Sequence, residues 1–201
     1  MSQNKLRAPV YENIKNTKGI ARVIEKYEPD IIVNLAAFSR VKLVQHDPVM
    51  ACDSLIKGVY NLLYGGQGII ERFVHVSSSM VYGDWPSGGH FYGMREDWNQ
   101  MQPKSDYGIL KLASEGIVKR YCNEHDVEYT IVRPSAVYGP RDIVVRVVPK
   151  FLIQAANNET IYVNGDSSVD FTHMDDFIKG MVQCVLTVSY THLTLPTSDL
   201  V

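Results

Sequence analysis

Residues 31–38 read IIVNLAAF, a continuous apolar run entered directly from Pro29 and Asp30. A strand with one wetted face alternates apolar and polar residues, so an unbroken run implies a strand covered on both faces. Strands of that kind belong to parallel sheets, whose crossover connections are helices. The segments around it agree. Asn16 and Thr17 can cap a helix with Ile20, Val23, Ile24 and Tyr27 on one face. A second helical stretch covers about 48–64 and stops at Gly65-Gly66, and FVHVSSS (73–79) is a strand running into a loop. YGILKLASEGIVKRYCNEH (107–125) predicts a third helix, with Ile109, Leu112, Ala113, Ile117 and Tyr121 toward a core. YTIVR (129–133), closed by Pro134, predicts another β-branched strand. Beyond Gly139 the pattern predicts a helix near 147–157, a short strand TIYVN (160–164) and a helix near 173–186. Strands alternating with helices make βαβ units, hence an α/β chain with a parallel sheet.

Charge and composition narrow the function classes. Twenty Lys and Arg face 22 Asp and Glu, a net charge of −2, which offers no electrostatic footprint for nucleic acid or an anionic membrane. The three cysteines, Cys52, Cys122 and Cys184, lack metal-ligand spacing and read as free thiols in a reducing compartment. His46, His75, His90, His125 and His173 also lack such spacing, and read as ordinary loop or strand histidines. No apolar run nears the ~18 residues needed to span a bilayer, and the start MSQNKLRAP has no apolar signal region. The expectation is a cytoplasmic protein with a small-molecule substrate, no metal, no nucleic-acid polymer and no membrane.

Ligands of open parallel sheets sit outside the carboxyl ends of the strands. The polar residues expected there are Asn34–Ser39, Ser77–Ser79 and Arg133–Tyr138. Tyr107 and Lys111 add Y-x-x-x-K at the start of a helix, an i, i+4 pair on one face. A phenol ordinarily titrates near ~10, too high for a base at neutral pH, and an adjacent ammonium lowers that value. Such a Tyr could take a proton from a substrate hydroxyl as hydride leaves the same carbon. A serine at the end of the 73–79 strand could donate to the oxygen on which charge develops. The blander alternatives are an exposed Tyr-Lys pair and a polar strand-to-loop turn, and three adjacent serines do not by themselves say which one acts. Asp175 and Asp176 are neighbours on a helix and point to different faces, which favours capping over paired acid/base work. Phe91, Tyr92, Trp85 and Trp98 in the 83–104 loop could line a substrate pocket or simply pack.

Five segments, in order over about residues 12–187, resemble the extended short-chain dehydrogenase/reductases, specifically the NAD-dependent epimerase/dehydratase group. PDIIVNLAA (29–37) is similar to that family's fourth strand, whose backbone lies along the cofactor. VSSSMVYG (76–83) resembles its catalytic Ser/Thr motif, with the active residue three before the Val, here Ser78. SDYGILKLASE (105–115) resembles its Tyr-Lys helix, and VRPSAVYGPRD (132–142) and VDFTHMDD (169–176) the segments around nicotinamide and substrate lobe. The resemblance implies a Rossmann-like sheet with helices on both faces, N-terminally incomplete, with a small substrate lobe beginning near 140. It implies Ser78, Tyr107 and Lys111 as the catalytic set. Leu35, Ala36, Ala37, Val76, Ser77, Tyr107, Lys111 and Pro134 are implied cofactor contacts. The cofactor is NAD, with NADP left open, and the substrate a nucleotide-linked sugar epimerised by transient hydride transfer. A carbonyl reductase using the same three residues, and a piece unable to hold a dinucleotide, are the alternatives; a homodimeric parent is left open.

The departures from that pattern are specific. The Gly-rich G-x-x-G-x-x-G loop does not occur in the sequence; Gly65-Gly66 and Gly68 follow a helix and fit a helix C-cap instead. Ala136 stands where many members carry Asn, Val169 where many carry Arg, and Ser54-Leu55 where an Asn is frequent. Members that eliminate water carry Asp and Glu after the active Ser or Thr; here Ser79 and Met80 follow, which argues against a 4,6-dehydratase. VSYTHLTLPT (188–197) resembles the translation of a transposon-type sequencing-library adapter. The expected organisation is therefore 1–187 as a partial domain and 188–201 as a non-native tail, together an internal piece of a longer gene.

Overall fold

The computed structural model describes residues 9–84, 97, 100–143, 145–163, 169–186 and 192–193. Helix α1 (Thr17–Tyr27) starts where Asn16 accepts from the Gly19 N–H, and leads into strand β1 (Ile31–Asn34). Helices α2 (Val41–His46) and α3 (Pro48–Cys52) follow. A π-helical turn, Asp53–Lys57, then joins α3 to α4 (Gly58–Gly65). Strand β2 (Arg72–Val76) runs into a 3₁₀ turn, Ser79–Val81. The long helix α5 (Asp106–Glu124), capped by Ser105, precedes β3 (Glu128–Val132) and β4 (Ala136–Tyr138). Helix α6 (Val147–Ala156), β5 (Phe171–His173), α7 (Met174–Leu186) and β6 (His192–Leu193) complete the elements.

The main sheet runs β1-β2-β3-β6, and a second, two-stranded sheet pairs β4 with β5. Every pairing among the described residues is parallel. Period-two alternation along central β2 sends neighbouring side chains to opposite faces. Phe73 packs with Val59, Leu63, Val118 and Tyr121 beneath α4 and α5. Val74 packs with Val132, Phe177, Met181 and Cys184 beneath α7. The sheet is therefore covered on both faces, as an α/β chain of parallel strands requires. At its amino end Arg72 is ion-paired with Glu128, its register partner on β3, and donates to the Val185 carbonyl of α7 at 3.0 Å.

Several expected boundaries move. The 31–38 strand ends at Asn34, because the Asn34 side chain accepts from the Ala36 N–H at 3.1 Å and turns the backbone out of the ladder. The 73–79 strand starts at Arg72 and ends at Val76. Among the described residues, 160–163 of the expected TIYVN strand pair with no strand and are exposed. The 48–64 helix contains the π turn, and α2 was not expected from the sequence. Trp85, His90, Phe91, Tyr92 and Trp98 lie outside the described residues.

Candidate functional site

The carboxyl ends of β1, β2 and β3 place Asn34, Ser77–Ser79 and Arg133–Pro134 along one edge of the sheet. The serine segment is strapped to the chain after β3: Ser77 N–H donates to the Val132 carbonyl at 2.7 Å and Ser79 N–H to the Pro134 carbonyl at 2.9 Å. Ser78 is buried, and its Oγ accepts from Met80 N–H at 3.2 Å. The first turn of α5 lies against this segment because residue 108 is glycine. A Cβ there would stand 2.6 Å from the Met80 carbonyl oxygen. That close approach sets the Tyr107 phenol beside Ser78, whose hydroxyl acts to lower it.

Tyr107 is half-buried against a cluster of Val44, Ala51 and Leu55, with Ala37, Phe38 and Leu110 at its margin. Burial raises its phenol above the ordinary value, and the Ser78 hydroxyl acts in the opposite sense. Lys111, one turn on, is 2% exposed and donates from Nζ to the Val76 carbonyl at 2.7 Å. Burial lowers the Lys111 amine to about 8, and Glu115 acts to raise it. The sequence reading expected Lys111 to lower the Tyr107 phenol. In the structure the phenol is raised because the ring is desolvated, and the Lys111 ammonium donates to the Val76 carbonyl.

Of the other residues predicted at the site, Val76 contributes its carbonyl to Lys111, and Pro134 its carbonyl to Ser79. Leu35 and Ala36 are exposed just past β1, and Ala37 is half-buried beside Tyr107. The Ser77 hydroxyl turns inward instead, donating to Glu115 Oε1 at 2.6 Å. The structure thus sets Ser78 beside Tyr107, Lys111 on Val76 and Ala37 in the cluster that holds Tyr107, while Leu35 and Ala36 are exposed past the end of β1.

Beneath these lie buried polar groups in which Asn34 and Arg133, expected at the strand ends, join Tyr82, Ser114 and Glu115, to which the sequence reading gave no role. Glu115 is 1% exposed and accepts from Arg133 Nε at 2.9 Å and Nη2 at 2.7 Å; Arg133 Nη1 reaches the Tyr82 hydroxyl at 3.0 Å. Asn34, His75 and Ser114 form a second buried group, and His75 is lowered to about 3 by burial and then by the Lys111 charge. The available signal was spacing: Ser114 and Glu115 follow Lys111 by three and four residues, which puts them on its helix face. His75 interrupts an apolar strand, RFVHV, which is itself a mark of a buried polar partner. Asp175 and Asp176 lie exposed in the first turn of α7, where Asp176 meets Lys179 at 3.0 Å. Among the described residues no three His, Cys, Asp or Glu side chains gather as metal ligands, and no helix is long and apolar enough to cross a membrane.

The family model described as "NAD dependent epimerase/dehydratase family" matches residues 2–191. The low-salt glycan biosynthesis protein Agl12 of Haloferax volcanii is 32% identical over 144 residues, 70% of this chain and 44% of that protein. The dTDP-glucose 4,6-dehydratase 1 of Escherichia coli K12 is 23% identical over 192 residues, covering 87% of this chain and 53% of its own length. The crystal structure of UDP-glucuronic acid 4-epimerase from Bacillus cereus, in complex with UDP-glucuronic acid and NAD, superposes with a TM-score of 0.80 at 26% identity. That match covers 94% of this chain and 59% of the epimerase. The chain spans about half the length of the curated relatives it matches.

Proposed function

Because the chain belongs to the NAD-dependent epimerase/dehydratase family, we propose that it carries the proton-transfer half of an NAD-dependent epimerase of nucleotide-linked sugars. The observation that carries this reading is the close approach of the first turn of α5 to buried Ser78 at the carboxyl edge of the sheet, with Tyr107 and buried Lys111 one turn apart on that helix. The residues fit a nicotinamide nucleotide at that edge: Ala36 and Ala37 are small enough for close backbone approach, and Lys111 brings an ammonium with three donors. NAD supplies a reversible hydride acceptor. In its phenolate form Tyr107 would take the proton of the sugar hydroxyl and return it when the oxidised carbon is reduced from its other face. Ser78 donates to the reacting oxygen, steadying its charge in a water-poor site. Lys111, whose ammonium is held on the Val76 carbonyl, would hold the cofactor ribose. Leu35, Ala36, Ala37, Val76, Ser77 and Pro134 line the cofactor's path, mainly through backbone.

Epimerisation is favoured over 4,6-dehydration by the two residues after Ser78. Eliminating water needs an acid and a base beyond the phenol, and Ser79 and Met80 supply neither at neutral pH. The test is a product assay with nucleotide-linked hexoses and NAD. The expected product is the epimer without net cofactor reduction; accumulation of a 4-keto-6-deoxy sugar would overturn the reading.

A further inference from the structure

Three buried side chains that the proposed reaction does not use form a line from β1 to α5. Asn34, His75 and Ser114 are 3%, 1% and 0% exposed. Asn34 and His75 are register partners on adjacent parallel strands. Asn34 Nδ2 lies 3.2 Å from His75 Nδ1, and His75 Nε2 lies 2.9 Å from Ser114 Oγ. The line ends on backbone at both sides. Ala36 N–H donates to Asn34 Oδ1 at 3.1 Å, and Ser114 Oγ donates to the Lys111 carbonyl at 2.7 Å.

Those two ends fix the direction of every bond between them. An amide N–H only donates, so the Asn34 oxygen faces Ala36 and its NH₂ group faces the ring. The NH₂ group cannot accept, so His75 Nδ1 must be the unprotonated nitrogen. A neutral ring then carries its hydrogen on Nε2 and donates it to Ser114. The Ser114 hydroxyl, accepting from the ring, has its own hydrogen left for the Lys111 carbonyl, which only accepts. An imidazolium, or the opposite tautomer, would set two donors against each other at Asn34.

We propose that His75 is a positioning residue, locked as the neutral Nε2–H tautomer, that ties the Asn34–Ala36 turn after β1 to the Lys111 turn of α5. These are the two backbone segments that flank the candidate site, and they come from elements far apart in the chain. The line passes through β2 in a dry interior, where a satisfied polar chain is stiff and a broken one is costly. Its relevance to turnover rests on the Tyr107–Lys111 assignment above; the tautomer does not.

The test is nuclear magnetic resonance of the 201-residue chain labelled with ¹⁵N in histidine and lysine, without cofactor or substrate. The expected His75 signature is a protonated Nε2 and an unprotonated Nδ1. Asn34→Asp, which replaces the donor by an acceptor, moves the proton to Nδ1. Ser114→Ala leaves the tautomer in place, because Asn34 sets it, but frees the Lys111 turn. The Lys111 amine then gains hydration and its titration moves up from about 8, and Ser114→Thr restores it. A wild-type ring protonated on Nδ1 overturns the proposal, as does a folded Ser114→Ala chain whose Lys111 titration is unmoved. Should Asn34→Asp fail to fold, the wild-type and Ser114 spectra still decide. The expected spectra together with no epimerase activity would remove the proposed reaction and leave the relay standing.

Discussion

Glu115 accepts both Arg133 Nε and Arg133 Nη2, at 2.9 and 2.7 Å, one turn beyond Lys111 and almost wholly out of solvent. The same carboxylate accepts the Ser77 hydroxyl. Removing it strands a buried guanidinium, so Glu115→Ala should cost about 3–5 kcal/mol in urea unfolding. Combining Glu115→Leu with Arg133→Met should cost much less than the two single changes together, since no charge is then left unpaired. A single-variant loss of only ~0–1 kcal/mol would mean the pair is hydrated like a surface one.

Tyr107→Phe should lower kcat on a nucleotide-linked hexose on the order of 10²-fold or more, the usual loss for a general base. Cofactor affinity should be largely kept, because the phenol oxygen is one contact among several. Ser78→Ala should be more damaging than Ser79→Ala, and should raise the phenol further, because it removes the hydroxyl that opposes burial. Kinetics and a spectroscopic tyrosine titration check the two halves; the reverse order of the serines would reassign the donor.

Two glycines on α5 should respond oppositely to alanine. Gly116 is exposed in mid-helix with nothing within 4 Å of an added Cβ, so Gly116→Ala should stabilise by about 0.5–1 kcal/mol. At Gly108 the added carbon would meet the Met80 carbonyl at 2.6 Å and Pro103 Cβ at 2.9 Å. Gly108→Ala should destabilise by about 1–3 kcal/mol and separate Tyr107 from Ser78. Thermal melts of the two variants decide.

Acid should expose His75. Its ring stays neutral in the folded chain down to about 3, whereas an ordinary histidine protonates near 6.5. Between those values the unfolded chain binds one more proton, so folding stability falls as pH falls, by about 1.4 kcal/mol per pH unit. His75→Gln lacks that group, and its urea midpoint should fall less steeply with acid across this window. Parallel acid limbs for the two proteins would contradict the burial of a neutral ring.

Legibility followed the physics of each signal. The parallel, doubly covered sheet could be read because IIV, FVHV and YTIV are long apolar runs with helical periods between them. The Asn34 terminus could not, since it depends on a side-chain bond to Ala36 rather than on apolar content. Residues 160–163 have strand composition yet pair with no strand among the described residues, because β propensity describes a half-buried surface and needs a neighbour. At the site, Ser78, Tyr107 and Lys111 could be picked out by motif and spacing. Their electrostatics could not: Tyr107 is set by Val44, Ala51 and Leu55 packing around it, and Lys111 by its burial beneath α5 with Glu115 opposing. Glu115 and the buried partnership of His75 escaped because a buried polar residue announces its partner only in three dimensions.

The all-parallel pairing of the strands also constrains how the chain reaches this state. Ile31 must find Arg72, Arg72 must find Glu128, and Ala136 must find Phe171, each across a segment containing at least one whole helix. No hairpin exists among the described residues to seed the sheet locally. Loop closure must come before any strand contact returns energy, so folding should be slow for a chain of this size, with helices formed early and the sheet late. The sheet edge that carries Ser78 and the Val76 carbonyl holding Lys111 is then completed only when β2 and β3 dock, making the candidate site a late product of folding.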